Sequence, residues 1–484
     1  MSIKIILRLL SMLLVLLSIP LAAPIGVAII YGEPFFHIRA FLLPIGIAIG
    51  FFLFVRFGFG QKGIPNLSPK SGFLFVCLAW ISASLVGCIP FMAAGVIPDF
   101  THAYFETLGG FTTTGASVIA DVDSIPRSLV FWRALTYWMG GMGIVVLTVA
   151  VFPLLGFGGL HLMEAETPGP TVNKLSPKIA KSAKILWVVY LGFTAALTLF
   201  LVAGGLQPFD AITRAMVTVS TGGCRAGSAD AGYSSRYVQI ILMIFMLLSG
   251  MNFSLHYKIL TGKFRDLVRD SEWRLYLAIF IVVSALIAHE LWRTGMSASL
   301  GDSLLQAGFH VASLLSTTGF YTLDFSAWGS LSQIFLLFLL FVGGCAGSTG
   351  GGIKVIRILT MFKMAVTEMK YLVYPRGVFG IFVNGQYLKK NIVYNCAALV
   401  FLYFIVFVAV AVVVATGGYD ILTSLTTSLA FLSNTGVGFG RAAPFHSFDF
   451  LPPYIMWTLD FAMLIGRLEV YTFLVIFTPA FWKR

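Results

Sequence analysis

Four short segments of this chain are nearly alike, and each combines threonine, serine or asparagine with glycine. They are Thr112-Thr113-Thr114-Gly115, Ser220-Thr221-Gly222-Gly223, Ser316-Thr317-Thr318-Gly319 and Asn434-Thr435-Gly436. The last glycine of each segment lies 13 to 17 residues after an aspartate, and each segment lies between two long apolar segments. A fourfold repeat of helix, half-helix, Thr-Gly loop and helix predicts a pore that is built from one chain.

The composition indicates an integral membrane protein. The chain has 484 residues, of which 58% are hydrophobic and 11% are charged, whereas a soluble domain carries roughly 25% charged residues. Its apolar segments approach the length of roughly 20 residues that crosses a bilayer. The polar loops, of which 161–184 and 257–274 are the longest, are too short for a separate soluble domain.

The net charge of +12 is unevenly distributed along the chain. With the helices counted as below, all lysines fall on one side, and the opposite loops contain acidic residues but no lysine. This positive-inside pattern predicts that both termini are cytoplasmic, and it favours topology over nucleic-acid binding as the reason for the basic charge. Contact of the basic face with anionic membrane lipid or an acidic partner stays open.

The cysteines and the N-terminus place few further constraints on the fold or the function. The five cysteines show no CxxC pair, so neither a metal site nor a disulfide framework is predicted, although a Cys88–Cys224 bridge stays open. The start resembles a signal peptide, but its apolar run continues to Ile30, which predicts a retained first helix.

The predicted architecture is an all-α polytopic membrane protein with a helix pair followed by four parallel units around a central pore. The predicted boundaries are 1–60 for the pair and 61–160, 161–262, 263–372 and 373–484 for pore repeats one to four. The predicted full helices are 5–31, 38–58, 71–95, 128–153, 184–206, 236–260, 273–294, 330–371, 390–416 and 451–482. The predicted half-helices are 100–112, 210–220, 302–315 and 420–432.

The half-helices are too short to span the membrane. Non-helical backbone at that depth is tolerated only inside protein or beside a water-filled cavity. We expect Asp99, Asp210, Asp302 and Asp420 to be their N-caps. The partially negative C-terminal ends then face the Thr-Gly loops, where they stabilise a cation.

The loops have the composition expected of a filter for an alkali cation. Backbone carbonyls replace the water that the ion sheds, and glycine allows the conformations that aim them at the axis. Hydroxyl groups of threonine and serine add further oxygens. The predicted filter residues are Thr113, Thr114, Gly115, Thr221, Gly222, Gly223, Thr317, Thr318, Gly319, Asn434, Thr435 and Gly436. Acidic residues near the loops, namely Asp121, Asp123, Asp230 and Asp324, either concentrate cations at the mouth or are plain solvated loop charges.

These loops resemble those of the Trk/Ktr/HKT superfamily of potassium transporters, and within it the bacterial TrkH family. The segment 138–143 after the first loop and the segment 164–170 with Lys174 and Leu175 strengthen the resemblance, which covers essentially the whole chain. The leading helix pair resembles TrkH more than the shorter KtrB branch.

The resemblance implies a potassium-uptake protein of the bacterial inner membrane, a homodimer, and a cytosolic nucleotide-binding ring of the TrkA type docked on the basic loops. Potassium is then the transported ion, with no organic cofactor on this chain. Gly115 implies potassium selectivity, because the more sodium-favouring members carry serine there. The second loop departs from the family pattern, since Cys224 and Arg225 stand where an aromatic residue usually follows the glycines. A positive charge at Arg225 repels potassium unless it is paired, for which Asp230 is a candidate.

A glycine-rich segment interrupts the second helix of unit three and predicts an intramembrane gate. Because each glycine costs a helix interior roughly 1 kcal/mol, the run from 343 to 352 cannot be stably helical. The predicted gate residues are Gly343, Gly344, Gly347, Ser348, Thr349, Gly350 and Gly351, together with Arg467 in the last apolar segment. The segment fails the phosphate-binding-loop pattern, because Lys354 follows Ile353 and no strand precedes it.

An arginine within the membrane is costly and points to function. Arg467 has two candidate partners, Asp460 and the carbonyls of the glycine segment, and the resemblance places such an arginine under the filter. A purely structural buried ion pair is the alternative. At the level of the whole protein, a symporter coupled to H⁺ or Na⁺ and a weakly selective cation pore remain alternatives to a potassium pore. An enzyme is not expected, because the chain shows no nucleophile–base set or metal cluster.

Overall fold

The structure is a computed structural model that describes residues 3–59, 69–143, 179–223 and 235–483. The described chain is almost entirely helical, which confirms the predicted all-α class. It opens with the helix pair α1 (Ile3–Ile30) and α2 (Phe35–Phe59), which pack against each other with no half-helix between them.

Each of the four units follows the predicted order of helix, half-helix, loop and helix. Unit one contains α3 (Pro69–Gly87), α4 (Ile89–Ala93), the half-helix α5 (Phe100–Phe111) and α6 (Arg127–Gly141). Unit two contains α7 (Ile179–Ala203), the half-helix α8 (Pro208–Val219), α9 (Arg236–Ser249), α10 (Phe253–Leu260) and the short α11 (Phe264–Arg269).

Units three and four repeat the pattern. Unit three contains α12 (Ser271–Arg293), the half-helix α13 (Leu300–Leu315), α14 (Ser330–Phe341) and α15 (Val355–Val373). A small hairpin of β1 (Phe382–Val383) and β2 (Gln386–Tyr387) leads to unit four, and the sequence did not predict it. Unit four contains α16 (Lys390–Ala415), the half-helix α17 (Ile421–Leu432), α18 (Pro453–Arg467), α19 (Tyr471–Leu474) and α20 (Pro479–Trp482). Single 3₁₀ turns lie at Val122–Ser124, Phe325–Ala327, Gly440–Ala442 and Val475–Phe477.

The second helix of every unit ends or bends inside its predicted span, whereas the sequence predicted a break only in unit three. Helix α6 ends at Gly141, α9 and α10 meet at a bend of 102°, and α18 ends at Arg467. The uninterrupted spans predicted at 128–153, 236–260 and 451–482 are therefore wrong over their described parts. Two of these ends pack closely on half-helices, because a methyl group on Gly140 or Gly466 would collide with a carbonyl oxygen of α5 or α17.

The half-helix caps match the prediction in two units of four. Asp99 and Asp420 are N-caps and accept the backbone N–H of His102 and Thr423. The prediction is wrong for the other two aspartates, because α8 and α13 begin earlier than expected. Asp210 and Asp302 lie in the first helical turn, where their charge still complements the helix dipole.

The helices are suited to a bilayer. Six of the described helices are long and apolar enough to cross a membrane, and the bent pair of α9 and α10 raises the number to seven. The half-helices lie inside this shell, where most of their C-terminal residues are buried.

Candidate functional site

The four half-helices end in the same way. Their C-caps are Thr112, Ser220, Ser316 and Ser433. In unit one, the N–H of Thr113 donates to the carbonyl of Gly110 (3.0 Å) and the N–H of Thr114 donates to the carbonyl of Gly109 (2.9 Å). This pair of bonds is the Schellman motif. The same pair recurs in the other units at Thr221 and Gly222, Thr317 and Thr318, and Asn434 and Thr435.

The residue after each cap has a left-handed backbone, although none of the four is glycine. Their φ angles are 57° at Thr113, 52° at Thr221, 58° at Thr317 and 55° at Asn434. For a β-branched residue this region is strained, at a cost on the order of 1 kcal/mol. Because the conformation recurs in four loops, and in three of them at a threonine, their shared environment holds it in place.

The glycine two positions later also has a positive φ in every loop. The angles are 82° at Gly115, 43° at Gly223, 75° at Gly319 and 68° at Gly436. Each glycine lies against a carbonyl oxygen of the next loop, and the fourth lies against the first. The contacts are Gly115 on Gly223, Gly223 on Thr318, Gly319 on Thr435 and Gly436 on Thr114. The four loops therefore form a closed ring in chain order.

Side chains fix the loops on their outer surface rather than lining the ring with free hydroxyl groups. Thr112 and Thr114 share a hydrogen bond between their hydroxyl oxygens at 2.8 Å, and the equivalent pairs in units three and four are 2.7 and 2.8 Å apart. In unit two Gly222 provides no hydroxyl, and Ser220 donates to the carbonyl of Val217 instead. The amide of Asn434 donates to the hydroxyl of Thr114 at 3.0 Å and so joins the fourth loop to the first.

The carbonyl oxygens of the predicted filter residues are left without donors. The N–H groups of these residues, apart from Gly115 and Gly223, donate back into the helix ends, and no hydrogen bond within the described part of the chain ends on the backbone carbonyl of any of the twelve. All of these residues except Gly436 are buried. Buried carbonyls without partners are costly, and a dehydrated cation among them lowers that cost. The half-helix C-termini add their negative partial charge at the same place.

A small cavity lies at the glycine end of the ring. The four glycines line it together with Ser117, Tyr321 and His446, and its volume is about 20 Å³. That volume is enough for about one water-sized particle. The ring therefore has room beside it for a single dehydrated ion or a water.

The acidic residues of this side differ in their roles. Asp99 and Asp420 cap half-helices, and their hydrogen bonds to His102 and Thr423 respectively lower the pKa of each carboxyl. The exposed Asp121 and Asp324 cap single 3₁₀ turns. All four thus have structural partners in their own loops. Cys224, Arg225 and Asp230 of the second loop lie outside the described residues, as do 164–170 and Lys174.

The segment between α14 and α15, residues 342–354, forms a compact loop, which we call the glycine loop. Its two ends are tied together, because Gly343 donates to the carbonyl of Ile353 (2.9 Å) and Ile353 donates to the carbonyl of Phe341 (3.1 Å). Cys345 donates to the carbonyl of Gly250 (2.8 Å) at the bend of unit two. The predicted break in this helix is therefore confirmed, and several of its backbone N–H groups donate to partners inside the protein.

The glycine loop lies directly against the helix-side end of the ring. The N–H of Gly351 donates to the hydroxyl of Thr317 (2.7 Å), and the hydroxyl of Thr221 donates to that of Thr349 (3.2 Å). A methyl group on Gly351 would collide with the carbonyl oxygen of Ser433. The loop thus touches the second, third and fourth filter loops on the side away from the cavity.

Arg467 completes this contact on the side of unit one. Its Nη1 donates to the hydroxyl of Thr113 (3.2 Å) and to the carbonyl of Thr349 (2.8 Å), and its Nη2 donates to the carbonyls of Gly140 (2.5 Å) and Gly141 (3.1 Å). The expected partnership with a glycine-loop carbonyl is confirmed. The alternative prediction, that Arg467 pairs with Asp460, is wrong. Both carboxylate oxygens of Asp460 are buried with no hydrogen-bond partner among the described residues. Arg467 therefore joins unit four to the first filter loop and to the glycine loop.

Two charged residues that hold the glycine loop were not predicted as site residues. One carboxylate oxygen of Glu272, in the first turn of α12, accepts the N–H of Ala346 (2.7 Å) and that of Ile356 (3.0 Å). Lys354 is buried, and its ammonium donates to the carbonyl of Gly350. Their signal in the sequence is weak, because a charge at the end of an apolar helix usually marks the membrane surface. Glu469, two residues after Arg467, pairs with Arg357.

Comparisons with known proteins agree with this geometry. The profile of a family described as "TrkH: Cation transport protein" matches residues 47–484. The Trk system potassium uptake protein TrkH of Escherichia coli strain K12 is 37% identical over 481 residues, which cover 99% of each chain. Its counterpart from Vibrio parahaemolyticus is 36% identical over 100% of both chains. The crystal structure of the potassium transporter TrkH from Vibrio parahaemolyticus superposes with a TM-score of 0.88 at 34% identity, over 100% of both chains.

Proposed function

Because the chain belongs to the TrkH family of cation transport proteins, we propose that it takes up potassium through a channel-like pore whose filter is the ring of four Thr-Gly loops. The observation that carries this proposal is the set of buried filter carbonyls that receive no hydrogen bond in the described chain. Their number and closed arrangement suit an ion that exchanges its water for backbone oxygens.

The filter works without a fixed negative charge of its own. Ions are drawn by carbonyl dipoles and by the C-terminal ends of four half-helices, so they are held weakly enough to move on. Gly115 supports selectivity for potassium, since its φ of 82° and its contact with Gly223 leave no space for a side chain.

The glycine loop and Arg467 act as the gate. Two observations support this role: the loop covers one end of the ring, and the guanidinium of Arg467 contacts both the loop and Thr113. A positive charge at this place opposes the passage of a cation. The gate opens when the loop moves away from the ring, which its glycine content permits.

The membrane arrangement follows from the charge pattern. The protein lies in the bacterial inner membrane with both termini in the cytoplasm, so the cavity at the glycine end of the ring faces outward. The exposed lysines Lys263, Lys370, Lys389 and Lys390 lie on the cytoplasmic side. They support docking of an acidic surface of a cytosolic nucleotide-binding ring, which regulates the gate, and the family resemblance supports a homodimer.

Ion flux into liposomes that contain the purified protein tests this function. We expect uptake of potassium and rubidium to exceed that of sodium and lithium. Equal sodium uptake would instead identify a weakly selective pore. Dependence of the potassium current on a proton or sodium gradient, measured at a fixed voltage, would favour the symporter.

A further inference from the structure

The first filter loop is held from behind by a buried carboxylate. Beyond Gly115 the chain runs outward through Ser117 and Val118. Glu106, in the half-helix α5, accepts the hydroxyl of Ser117 and the N–H of Val118 on one carboxylate oxygen, both at 2.9 Å. This oxygen therefore fixes the direction in which the chain leaves the ring.

The other oxygen of Glu106 pairs with an arginine of the second helix in the same unit. Nε of Arg133, in α6, donates to it at 2.5 Å. The two side chains are 0% and 2% exposed. A pair so deeply buried is costly to desolvate and is held firmly only when its geometry is good.

The arginine also reaches the second filter loop. Its guanidinium lies 5.5 Å from the ring centre of Tyr137, and a Cβ on Gly222 would lie 2.5 Å from a carbon of that tyrosine ring. Contacts therefore run without a break behind two of the four loops, from Val118 through Glu106, Arg133 and Tyr137 to Gly222.

The other described loops have the same support but without a full charge pair. His310 precedes Gly319 by the same spacing as Glu106 precedes Gly115, and its Nε2 lies 3.4 Å from the N–H nitrogens of Thr322 and Leu323. In unit four the hydroxyl of Thr426 accepts the N–H of Phe439 at 3.0 Å. Among these three loops, unit one alone uses a buried ion pair.

We propose that Glu106 and Arg133 are positioning residues for ion selectivity: their ion pair sets the shape of the first filter loop and, through Tyr137, that of the second. This inference rests on the proposed function and adds the residues that determine its specificity. Neither side chain is proposed to touch the ion. They act on the orientation of the filter carbonyls, so substitutions at these residues should change the ratio of potassium flux to sodium flux.

The test compares that flux ratio in liposomes for four single variants. Glu106→Gln keeps the shape of the side chain but removes the charge. Arg133→Lys keeps the charge but loses the fork of donors. Ser117→Ala removes the hydrogen bond to Glu106 and the one that the hydroxyl accepts from the N–H of Ile119, and it leaves the ion pair whole. Its flux ratio is therefore informative even if the first two variants do not fold. Glu33→Gln is the matched control, because Glu33 accepts the N–H of Ser128 at the other end of α6 and does not contact a filter loop.

We expect Glu106→Gln to lower the potassium-to-sodium ratio about tenfold or more, since a hydrogen bond to a charged group is lost. Ser117→Ala should lower the ratio severalfold, Arg133→Lys should retain more of it than Glu106→Gln does, and Glu33→Gln should match the wild type. An unchanged ratio in Ser117→Ala and in each folded variant of the pair would overturn the inference. An equal loss in Glu33→Gln would also overturn it, because the effect would then be general destabilisation. A wild-type protein without selectivity would instead refute the proposed filter.

Discussion

At the scale of single residues, the filter depends on glycine where the loops approach one another. Gly115 combines a φ of 82° with a carbonyl oxygen of the second loop where a side chain would stand. We expect Gly115→Ala to reduce potassium flux about tenfold or more, because both the strain and the collision deform the ring. The reduction is measured by comparing potassium and sodium flux into liposomes for the variant and the wild type. Gly192→Ala is the matched control, since that helical glycine has open space around it; a similar loss there would argue against a local effect.

Arg467 gives the second prediction at this scale. Arg467→Ala removes the positive charge and the contacts with Thr113 and Thr349, so we expect basal rubidium uptake to rise severalfold when no cytosolic partner is present. Arg467→Lys should lie between the alanine variant and the wild type. Arg441→Ala is the control, because Arg441 packs over the ring of Phe450 on the opposite side of the filter. Basal uptake that stays unchanged in Arg467→Ala would remove this residue from the gate.

The N-cap of a half-helix gives a prediction about how stability depends on pH. Hydrogen bonds from the hydroxyl and the N–H of Thr423 lower the pKa of Asp420 from 3.8. Because the pKa is lower in the folded state, this carboxylate stabilises the fold at pH values above 3.8, and the contribution is lost as the pH falls through the lowered value. The thermal unfolding midpoint of Asp420→Asn in detergent should therefore fall less steeply below pH 3.8 than that of the wild type. The effect is small because the site is exposed.

The residue scale also shows how far the sequence could predict the site. The four Thr-Gly loops and their glycines were identifiable because repetition in register separates them from chance. The left-handed conformation of Thr113, Thr221 and Thr317 was not, since threonine disfavours it in isolation and only the surrounding ring holds it. Likewise Glu272 and Glu106 look like ordinary charges until folding brings them to backbone groups distant in the chain.

At the scale of elements, the glycine loop is held by contacts from several units, of which the carboxylate of Glu272 supplies two. Glu272 binds the N–H of Ala346 within the loop and the N–H of Ile356 in the first turn of α15. We expect Glu272→Gln to weaken both bonds and to raise basal rubidium uptake severalfold, since bonds to a charged acceptor are stronger than neutral ones. Glu368→Gln, on the exposed face of α15, should have no effect. A fall in basal uptake in Glu272→Gln would contradict this role.

Some helix boundaries could be predicted from local sequence, whereas others depend on contacts with distant parts of the chain. The half-helices were predicted to within about two residues because an acidic N-terminal turn and a Thr-Gly end are local signals. The ends of α6 at Gly141 and of α18 at Arg467 were missed. Gly140 and Gly466, one residue before these ends, lie against carbonyl oxygens of neighbouring half-helices, and the local sequence does not reveal that contact. The caps of α8 and α13 were assigned to the wrong residues because Pro208 and Ser299 begin these helices earlier.

At the scale of the whole molecule, the distribution of charge predicts the orientation in the membrane. In a Cys224→Ser background, the remaining four cysteines are buried. An impermeant thiol reagent added outside intact cells should label Asp449→Cys but not Lys389→Cys, and labelling of the second should appear only in inverted vesicles. Both positions are exposed in the structure, so accessibility of the side chain is not limiting. The reverse labelling pattern would show that the protein lies in the membrane with the opposite orientation.

The central claim is that potassium passes through the ring of four loops, and the most direct test is to locate an ion there. Crystals grown in rubidium instead of potassium carry an anomalous signal that marks the ion without reference to the protein atoms. We predict a peak on the axis between Gly115, Gly223, Gly319 and Gly436. A selectively conducting protein with no peak in the ring, or with its peak beside Asp460 instead, would contradict the account.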